Sequence, residues 1–527
     1  MPIRWAYLKR VFAGAIFGLY MAHLLYFLNP QIDITAARLA VVTIAYGAIC
    51  GLLFGTALWL LRALRVKLFG RPGAEGEYRT HGFGFVVLAA MAAALIYYIH
   101  LEAVRIYLPV GAVRILSKAT NVITATAFIL LLLWVLERNA DRRTSRAILG
   151  IGVLIIAVSS FLMYQRRESY RTDRRNVVVA NVGTVAGRRP VLVVAVRNLP
   201  YDWIVTMSGE GLLPFFDAAM RGAYVTRLEP FKTTSPKALW ASLATGKLPY
   251  RHGVTGRFSY RTLLNGSDPE ERFLLVPSGV GFRAWGLIPP VQRISAPLPA
   301  GDALPLWSMF ERLGFRASVV NWPQSLQQGA TRVVTDRVLR ARAGSAAEIG
   351  AAVERFGGTG RARQRIINGL AGDLRAARLQ SGGEFDLRVV ALEGFSEAQR
   401  ALHIFTDELP AATTMKGDAL RAYAQQLDRI VGALAREHPD HLLVVCSPTA
   451  IVHPELPATP YAVARDVLLP GDPGAGDGFV LVAGPGVARG VNPPPAYVVD
   501  VVPTVLFAAG LPVGRDMDGS VITAAFD

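Results

Sequence analysis

Residues 233–254 read TTSPKALWASLATGKLPYRHGV. Pro236 stands where a helix has its first residue, and Ser235 where the cap belongs. A hydroxyl there accepts from the free N–H groups of the first turn, and the proline ring already has the φ that the turn needs. Leu239, Trp240 and Leu243 recur at helical spacing, so the helix is mostly core. Gly246 then opens a glycine-rich turn. A helix N-terminus favours anions. That makes Ser235, or Thr234 if the loop is read one residue differently, a candidate for chemistry. The competing reading is a helix cap retained for folding, since a serine hydroxyl without a metal or base is a poor nucleophile at neutral pH.

Working outward, the chain alternates strands with helices. VLVVAV (191–196) is short, continuous and β-branched, the pattern of a parallel strand buried on both faces. A helix is expected near 209–221, then a short strand, YVTRLEP (224–230). RASVVNW (316–322), FDLRVVALEG (385–394), HLLVVCSP (441–448) and GFVLVAGPGV (478–487) follow as further strands, with helices at 304–314, 415–437 and 498–510. This order predicts a mostly parallel sheet covered on both faces. Ligands of such sheets sit at the carboxyl ends of the strands, here just after 196, 322, 394, 447 and 487. Residues 255–303 are rich in Gly and Pro and read as an insertion. Residues 336–382 are rich in Ala, Arg and Gly and read as a basic, solvated helical cap. The only cysteines, Cys50 and Cys446, lie in different domains and make no expected disulfide.

The first 165 residues are different. They hold five apolar runs, at 11–29, 36–61, 82–101, 121–136 and 147–164, each about the 20 residues that a helix needs to cross a bilayer. This segment also carries +10 of the net charge of +17. Arg4, Lys9 and Arg10 precede the first run. Arg62, Arg65, Lys67, Arg71 and Arg79 fill the second connection, and Arg138, Arg142, Arg143 and Arg146 the fourth. The first connection has no cation and the third only Arg105, Arg114 and Lys118. Alternation of this kind is the positive-inside pattern, which puts the N-terminus in the cytoplasm and the C-terminal part outside. The charge therefore needs no nucleic acid to explain it. The expected organisation is a five-helix transmembrane domain (1–165), a basic juxtamembrane linker (166–187) and an exported domain (188–527).

The stretches LWASLATGKLPYRHGV (239–254) and VLVAGPGVARGVNPPPAYVVDVVPTVLFAAGLPVGRDMDG (480–519) are similar to the alkaline phosphatase superfamily, closest to its type I phosphodiesterase/nucleotide pyrophosphatase branch. The resemblance covers about residues 188–527 and implies an α/β/α sandwich. Apolar spans followed by an exported domain also resemble lipoteichoic acid synthases and phosphoethanolamine transferases, in architecture only. The resemblance implies two metal ions, usually zinc, held by Asp and His at strand ends, with a Thr or Ser attacking phosphorus. Two adjacent cations activate the hydroxyl and stabilise the developing charge.

At the matching positions this chain departs from the family. The aspartate and glycine after the first strand are Arg197 and Asn198. The Asp and His after the central strand are Ser396 and Arg400. The Asp and His after the next strand are Pro448 and Thr449, and PGDPGAGDGFV (470–480) lacks the last histidine. Asp202, His403 and His453 lie near these places. A shifted site built from them would need every displacement to compensate another, since metal sites tolerate errors of only tenths of an ångström. Arg197 and Arg400 are permanent cations suited to phosphate or sulfate. Either they form an anion pocket with Ser235, or each pairs with an acid such as Glu393, Glu397 or Asp202 and fills the vacated space.

The expected function is a membrane-anchored pseudo-phosphodiesterase without metal cofactor. It would bind an anionic lipid, glycan, phosphate-containing ligand or envelope protein from a bacterial inner membrane, with its C-terminal domain in the periplasm. The alternatives are an active phosphodiesterase, phosphotransferase or sulfatase-like hydrolase with a rebuilt site, two zinc or manganese ions and Ser235 or Thr234 as nucleophile, and a structural membrane scaffold. The topology is tested by fusing a periplasm-active reporter after residue 527 and, separately, within residues 62–81. Activity is expected only from the C-terminal fusion, and the reverse pattern would invert the orientation.

Overall fold

The computed structural model describes residues 36–69, 81–104, 110–137, 140–165, 189–231, 236–252, 258–261, 292–295, 303–323, 330–334, 360–405, 414–450, 476–489 and 493–526, with a few scattered positions. Two compact units divide the chain. The first comprises Met1–Arg174, Phe258–Ser295 and Ala458–Pro470, and the second Arg175–Arg257, Ala296–Pro457 and Gly471–Asp527.

The second unit is built on VLVVAV, strand β1 (Val191–Val196), of which every residue is buried. The other strands are β2 (Tyr224–Glu229), β5 (Ala317–Val320), β6 (Arg332–Val334), β7 (Leu387–Leu392), β8 (Leu442–Ser447), β9 (Gly478–Ala483) and β10 (Ala496–Tyr497). They form one sheet in the order β10-β2-β9-β8-β1-β7-β5-β6. All pairs are parallel except those of β9 with β2 and β8. The mostly parallel expectation therefore holds, with one correction. Because β9 runs backwards, its first residues, not 484–487, share the rim with the carboxyl ends of the other strands.

Alternation along β1 feeds two cores. Leu192, Val194 and Val196 face one side with Trp203, Phe216, Leu370, Phe395 and Tyr423. Val191, Val193 and Ala195 face the other with Leu239, Trp240, Trp307, Phe310, Val502 and Leu506. Each such Val or Leu contributes about 1.5–3 kcal/mol by leaving water. The helices involved are α5 (Tyr201–Gly209), α6 (Pro214–Gly222), α7 (Pro236–Thr245), α8 (Pro249–His252), α9 (Leu306–Arg312), α10 (Gly360–Gln380), α11 (Gly394–Leu402), α12 (Met415–Glu437) and α13 (Val501–Ala508).

Three local expectations change. The helix expected at 209–221 is two helices, because Gly211 takes φ +75° and Pro214 starts a new first turn. Gly394–Leu402 is a helix that the pattern of residues 385–403 did not announce. And α10 is no solvated cap: Ile366, Leu370, Asp373, Ala376 and Gln380, three or four residues apart, are buried. The rest of 336–382, residues 336–359, lies outside the described residues. So does most of the 255–303 insertion, apart from the antiparallel pair β3 (Phe258–Arg261) and β4 (Gln292–Ser295), which belongs to the first unit.

The two stretches that carry the family resemblance are joined to each other. Gly246, at φ +67°, ends α7 so close to α13 that a Cβ there would come within 3.1 Å of Val502 Cβ. Its carbonyl accepts from Asp518 N–H at 3.1 Å. Asp518 accepts from Leu248 N–H at 2.8 Å and Arg251 Nε at 2.9 Å, while Lys247 pairs with Asp516. Asp500 reinforces this clamp by accepting from the N–H groups of Tyr497 and Ser520, both at 2.8 Å.

In the first unit, four of the five apolar runs lie in helices: α1 (Ala36–Phe69), α2 (His81–Val104), α3 (Val110–Glu137) and α4 (Arg142–Gln165). The first run falls mainly outside the described residues. Two segments, Ser117–Glu137 and Arg143–Leu162, are long and apolar enough to cross a membrane among the described residues. Helices outlast the apolar runs, so Arg62, Arg65, Lys67, Arg114, Lys118, Arg142, Arg143 and Arg146 fall on helix ends and not in loops. Thr126 and Ser159 bond across α3 and α4 at 3.0 Å, and Gly84 lets α2 approach Trp134, which a Cβ would meet at 3.1 Å.

Removing the clamp carboxylate tests what the family-like stretches do. Asp518→Ala is expected to cost about 2 kcal/mol, lowering Tm by about 4–8 °C, because it leaves Leu248 N–H unmet and removes the ion pair to Arg251 Nε. Arg251→Ala should cost less than half of that, as a half-exposed ion pair would. Equal losses in thermal unfolding would contradict the assignment.

Candidate functional site

Register brings the departed positions together. Val196 pairs with Leu392 across β1 and β7, so Arg197 and Glu393 leave the sheet side by side. Arg197 N–H donates to Leu392 carbonyl at 3.0 Å, and its guanidinium to Glu393 Oε1 at 3.3 Å, with the two side chains 19% and 18% exposed. Asn198 follows in the left-handed region, φ +60°, a conformation that Asn tolerates better than most side chains. Its amide donates to Ser396 Oγ at 3.0 Å. Leu199 N–H donates to Ser447 Oγ at 3.0 Å, and that hydroxyl donates to Thr449 carbonyl at 2.9 Å. Asn321, at the end of β5 with φ +58°, donates to Ala391 carbonyl at 2.9 Å.

Arg400, one turn beyond Ser396 on α11, donates to Glu397 at 2.9 Å. Burial first, and then the neighbouring Arg197 guanidinium, lower Arg400 from its ordinary value, against Glu397 and Glu393. The two arginines thus act on each other at one rim, and among the described residues each meets one carboxylate and neither is in a bidentate pair. Asp202 is committed elsewhere: it accepts two bonds from Arg227, at 2.9 and 2.5 Å. His403 caps the end of α11 at φ +55° and is exposed. His453, Thr234 and Ser235 lie outside the described residues, and α7 begins at Pro236 as expected.

The side chains at the family's metal positions do not fit metal ions. Arg197 and Arg400 are guanidinium groups, which cannot ligate, Pro448 has no donor atom, and Ser396 is bonded to the neighbouring Asn198 amide. Among the described residues no group of three or more His, Cys, Asp or Glu is arranged to hold a metal. His252 is also accounted for. Its Nδ1 accepts from Val254 N–H at 3.0 Å, which leaves the proton on Nε2 to donate to Ser242 Oγ at 2.9 Å. Cys446 is buried in β8, and burial pushes its thiol up to about 12.

Sequence reasoning missed the support beneath α11. Asp373, 1% exposed on α10, accepts from Gly394 N–H at 3.1 and 3.2 Å and from Tyr423 Oη at 2.9 Å. A Cβ on Gly394 would lie 1.8 Å from Tyr423 Oη, so only glycine fits. The three-to-four-residue spacing from Leu370 through Asp373 to Ala376 was the available signal. Burial raises Asp373 to about 7, against the lowering by its Gly394 and Tyr423 bonds and with a further push from Glu393.

Residues 191–447 match the family model for Type I phosphodiesterase / nucleotide pyrophosphatase. That match supports the alkaline phosphatase superfamily for this part of the chain. No curated protein matches the sequence. Among solved structures, a putative sulfatase from Bacteroides thetaiotaomicron is similar at 12% identity and TM-score 0.42, over 64% of this chain and 75% of that one. Murine ectonucleotide pyrophosphatase / phosphodiesterase 5 is similar at 12% identity and TM-score 0.38, over 63% and 98%. The lipoteichoic acid synthase LtaP from Listeria monocytogenes is similar at 12% identity and TM-score 0.35, over 64% and 76%.

Asp373 gives a pH test. With a folded value near 7 against 3.8 ordinarily, its stabilising share is complete below about 3.8 and is lost as pH rises through 7. Asp373→Asn keeps the shape and abolishes the titration. The variant should therefore gain on the wild type in thermal unfolding between pH 5 and pH 8. A constant gap would show that Asp373 does not titrate there.

Proposed function

We propose that the protein is a membrane-attached, metal-free pseudo-phosphodiesterase that binds an anion at the old active-site rim through Arg197 and Arg400. The observation that carries this reading is that Arg197 and Arg400 stand where two of the family's ligands stand and act on each other at one rim, each beside a single carboxylate. Guanidinium donors offer phosphate or sulfate the positive charge that metals supply in the family. Among the described residues the single contacts to Glu393 and Glu397 leave most of those donors for a ligand. The same pairs make the cluster neutral overall, so the attraction is local and hydrogen-bonded, not a bare excess of charge. Five spans in a bacterial inner membrane, with the second unit on the periplasmic side, complete the reading. The basis for it is the alternation of cations and the helical state of four apolar runs. The ligand then comes from the lipids, glycans or proteins of the envelope.

An active phosphodiesterase or sulfatase-like hydrolase with Ser235 or Thr234 as nucleophile is equally compatible with the family match. Turnover of an aryl phosphodiester that disappears in Ser235→Ala would establish that reading in place of ours. For the full-length protein in detergent, millimolar phosphate or sulfate is expected to raise Tm by about 2–4 °C through mass action. Chloride at matched ionic strength should give no rise, and Arg197→Ala should abolish it. An unchanged shift in Arg197→Ala would refute the site.

A further inference from the structure

The amino ends of the strands, opposite the rim, hold a second polar cluster. His438 caps the end of α12 and His441 leads into β8, with their rings 4.9 Å apart and tilted by 47°. Among the described residues, Nε2 of His438 and both ring nitrogens of His441 are buried and have no hydrogen-bond partner. Leu442 and Leu443 pack in opposite cores, so alternation puts His441 on the face of Leu443. On β7, Arg388 stands between Leu387 and Val389, which share the core of Leu442, and so lies on the same face as His441. Leu192 of β1 is in register with both Arg388 and Leu443. Arg388, 4% exposed, holds the connection between α10 and β7. Its guanidinium donates to the carbonyls of Gln380, Gly382 and Gly383 and lies 5.3 Å from the centre of the Phe385 ring. Ser381 Oγ donates to Glu437 at 2.5 Å, which ties this connection to the end of α12.

This arrangement suits two neutral rings. A proton on either would add a cation beside Arg388, at nitrogens closed to water. The charged groups that face the pair are Arg388 from β7, with Arg332 of β6 acting on it, and the acids Glu437 and Asp440 of the histidines' own segment. From α10 comes the Gln380 carbonyl, which favours a proton on His438. The Phe385 carbonyl favours one on His441 without meeting it as a hydrogen bond. Burial outweighs both. It is the first cause that lowers each histidine, followed by Arg388 for His438, and by His438 and then Arg388 for His441, which falls to about 4. A histidine so lowered gives its full stabilising share above the ordinary 6.5. That share is lost as pH falls from 6.5 towards 4.

We infer that His438, His441 and Arg388 form an acid-sensitive latch: protonation of the paired rings drives Arg388 off its carbonyls and frees residues 381–386 with the C-terminal end of α10. That helix carries Asp373, the support of Gly394, so acid acts on the footing of the rim. Under the topology proposed above, acid outside the cell reaches this unit directly, but the latch itself does not depend on that topology. Hydrogen exchange read by mass spectrometry on full-length protein in detergent, corrected for intrinsic rates, tests it at residues 381–386 and 438–441. In the wild type, exchange there should rise about tenfold or more between pH 7.5 and pH 5, as a difference of one or more pK units between closed and open forms requires. The double variant His438→Phe/His441→Phe keeps two packed rings that cannot titrate, so pH should no longer change its exchange. If that variant does not fold, His441→Phe alone, which leaves His438 its Gln380 carbonyl, should lose most of the rise. Wild-type protection that survives at pH 5 would overturn the latch, as would a rise that the phenylalanines leave in place. So would an equal rise in β1, since the whole unit would then be unfolding.

Discussion

Everything at the rim follows from one register: Val196 beside Leu392. Shifting β1 by one residue would turn every side chain of VLVVAV to the opposite core, and the two cores are too different to accept it. One is built of Trp203, Phe395 and Tyr423, the other of Trp240, Trp307 and Phe310. With the register fixed, Arg197 must emerge next to Glu393, Asn198 next to Ser396, and Leu199 within reach of Ser447. The substitutions at the family's metal positions therefore do not act singly. Ser396 meets Asn198, while Arg197 and Arg400 meet Glu393 and Glu397 at the same rim.

That set stands on rigid support. Asp373 and Tyr423 hold Gly394 where no larger residue fits, and α11 starts from that point to carry Ser396, Gln399 and Arg400. On the opposite face, the clamp of Gly246, Lys247, Leu248 and Arg251 with Asp516 and Asp518 fixes α7. The family-like stretches thus have a structural task that is independent of metals and of turnover. This explains how a chain can keep LATGKLPYRHGV and GRDMDG while the ligand positions between them change. Folding depends on the first group of residues, and chemistry on the second.

Much of this was legible in the sequence. Continuous β-branched runs gave buried parallel strands because both faces of such a sheet are covered. Pro236 marked a helix start, and the order of elements predicted which loops would meet. The failures have physical causes. Strand direction is set by partners and not by local pattern, so the reversal of β9 was invisible and the rim was expected beyond residue 487. The apolar stripe of α10 is diluted by surface arginines, so Asp373 passed as part of a solvated helix. Arg197 and Arg400 were readable as cations at converging strand ends, but their choice of Glu393 and Glu397 over Asp202 depends on Arg227, a residue of β2 far away in sequence. The buried amide of Asn321 had no signal at all, since only packing shows that its Nδ2 meets the Ala391 carbonyl.

The central claim is that this rim is assembled without metal. Measuring zinc and manganese by elemental mass spectrometry on full-length protein, grown with both metals and purified without chelator, tests it most directly. The account predicts a content far below one ion per chain, and the same Tm before and after treatment with a chelator. Near-stoichiometric metal that survives dialysis, with a fall in Tm when it is stripped, would contradict it.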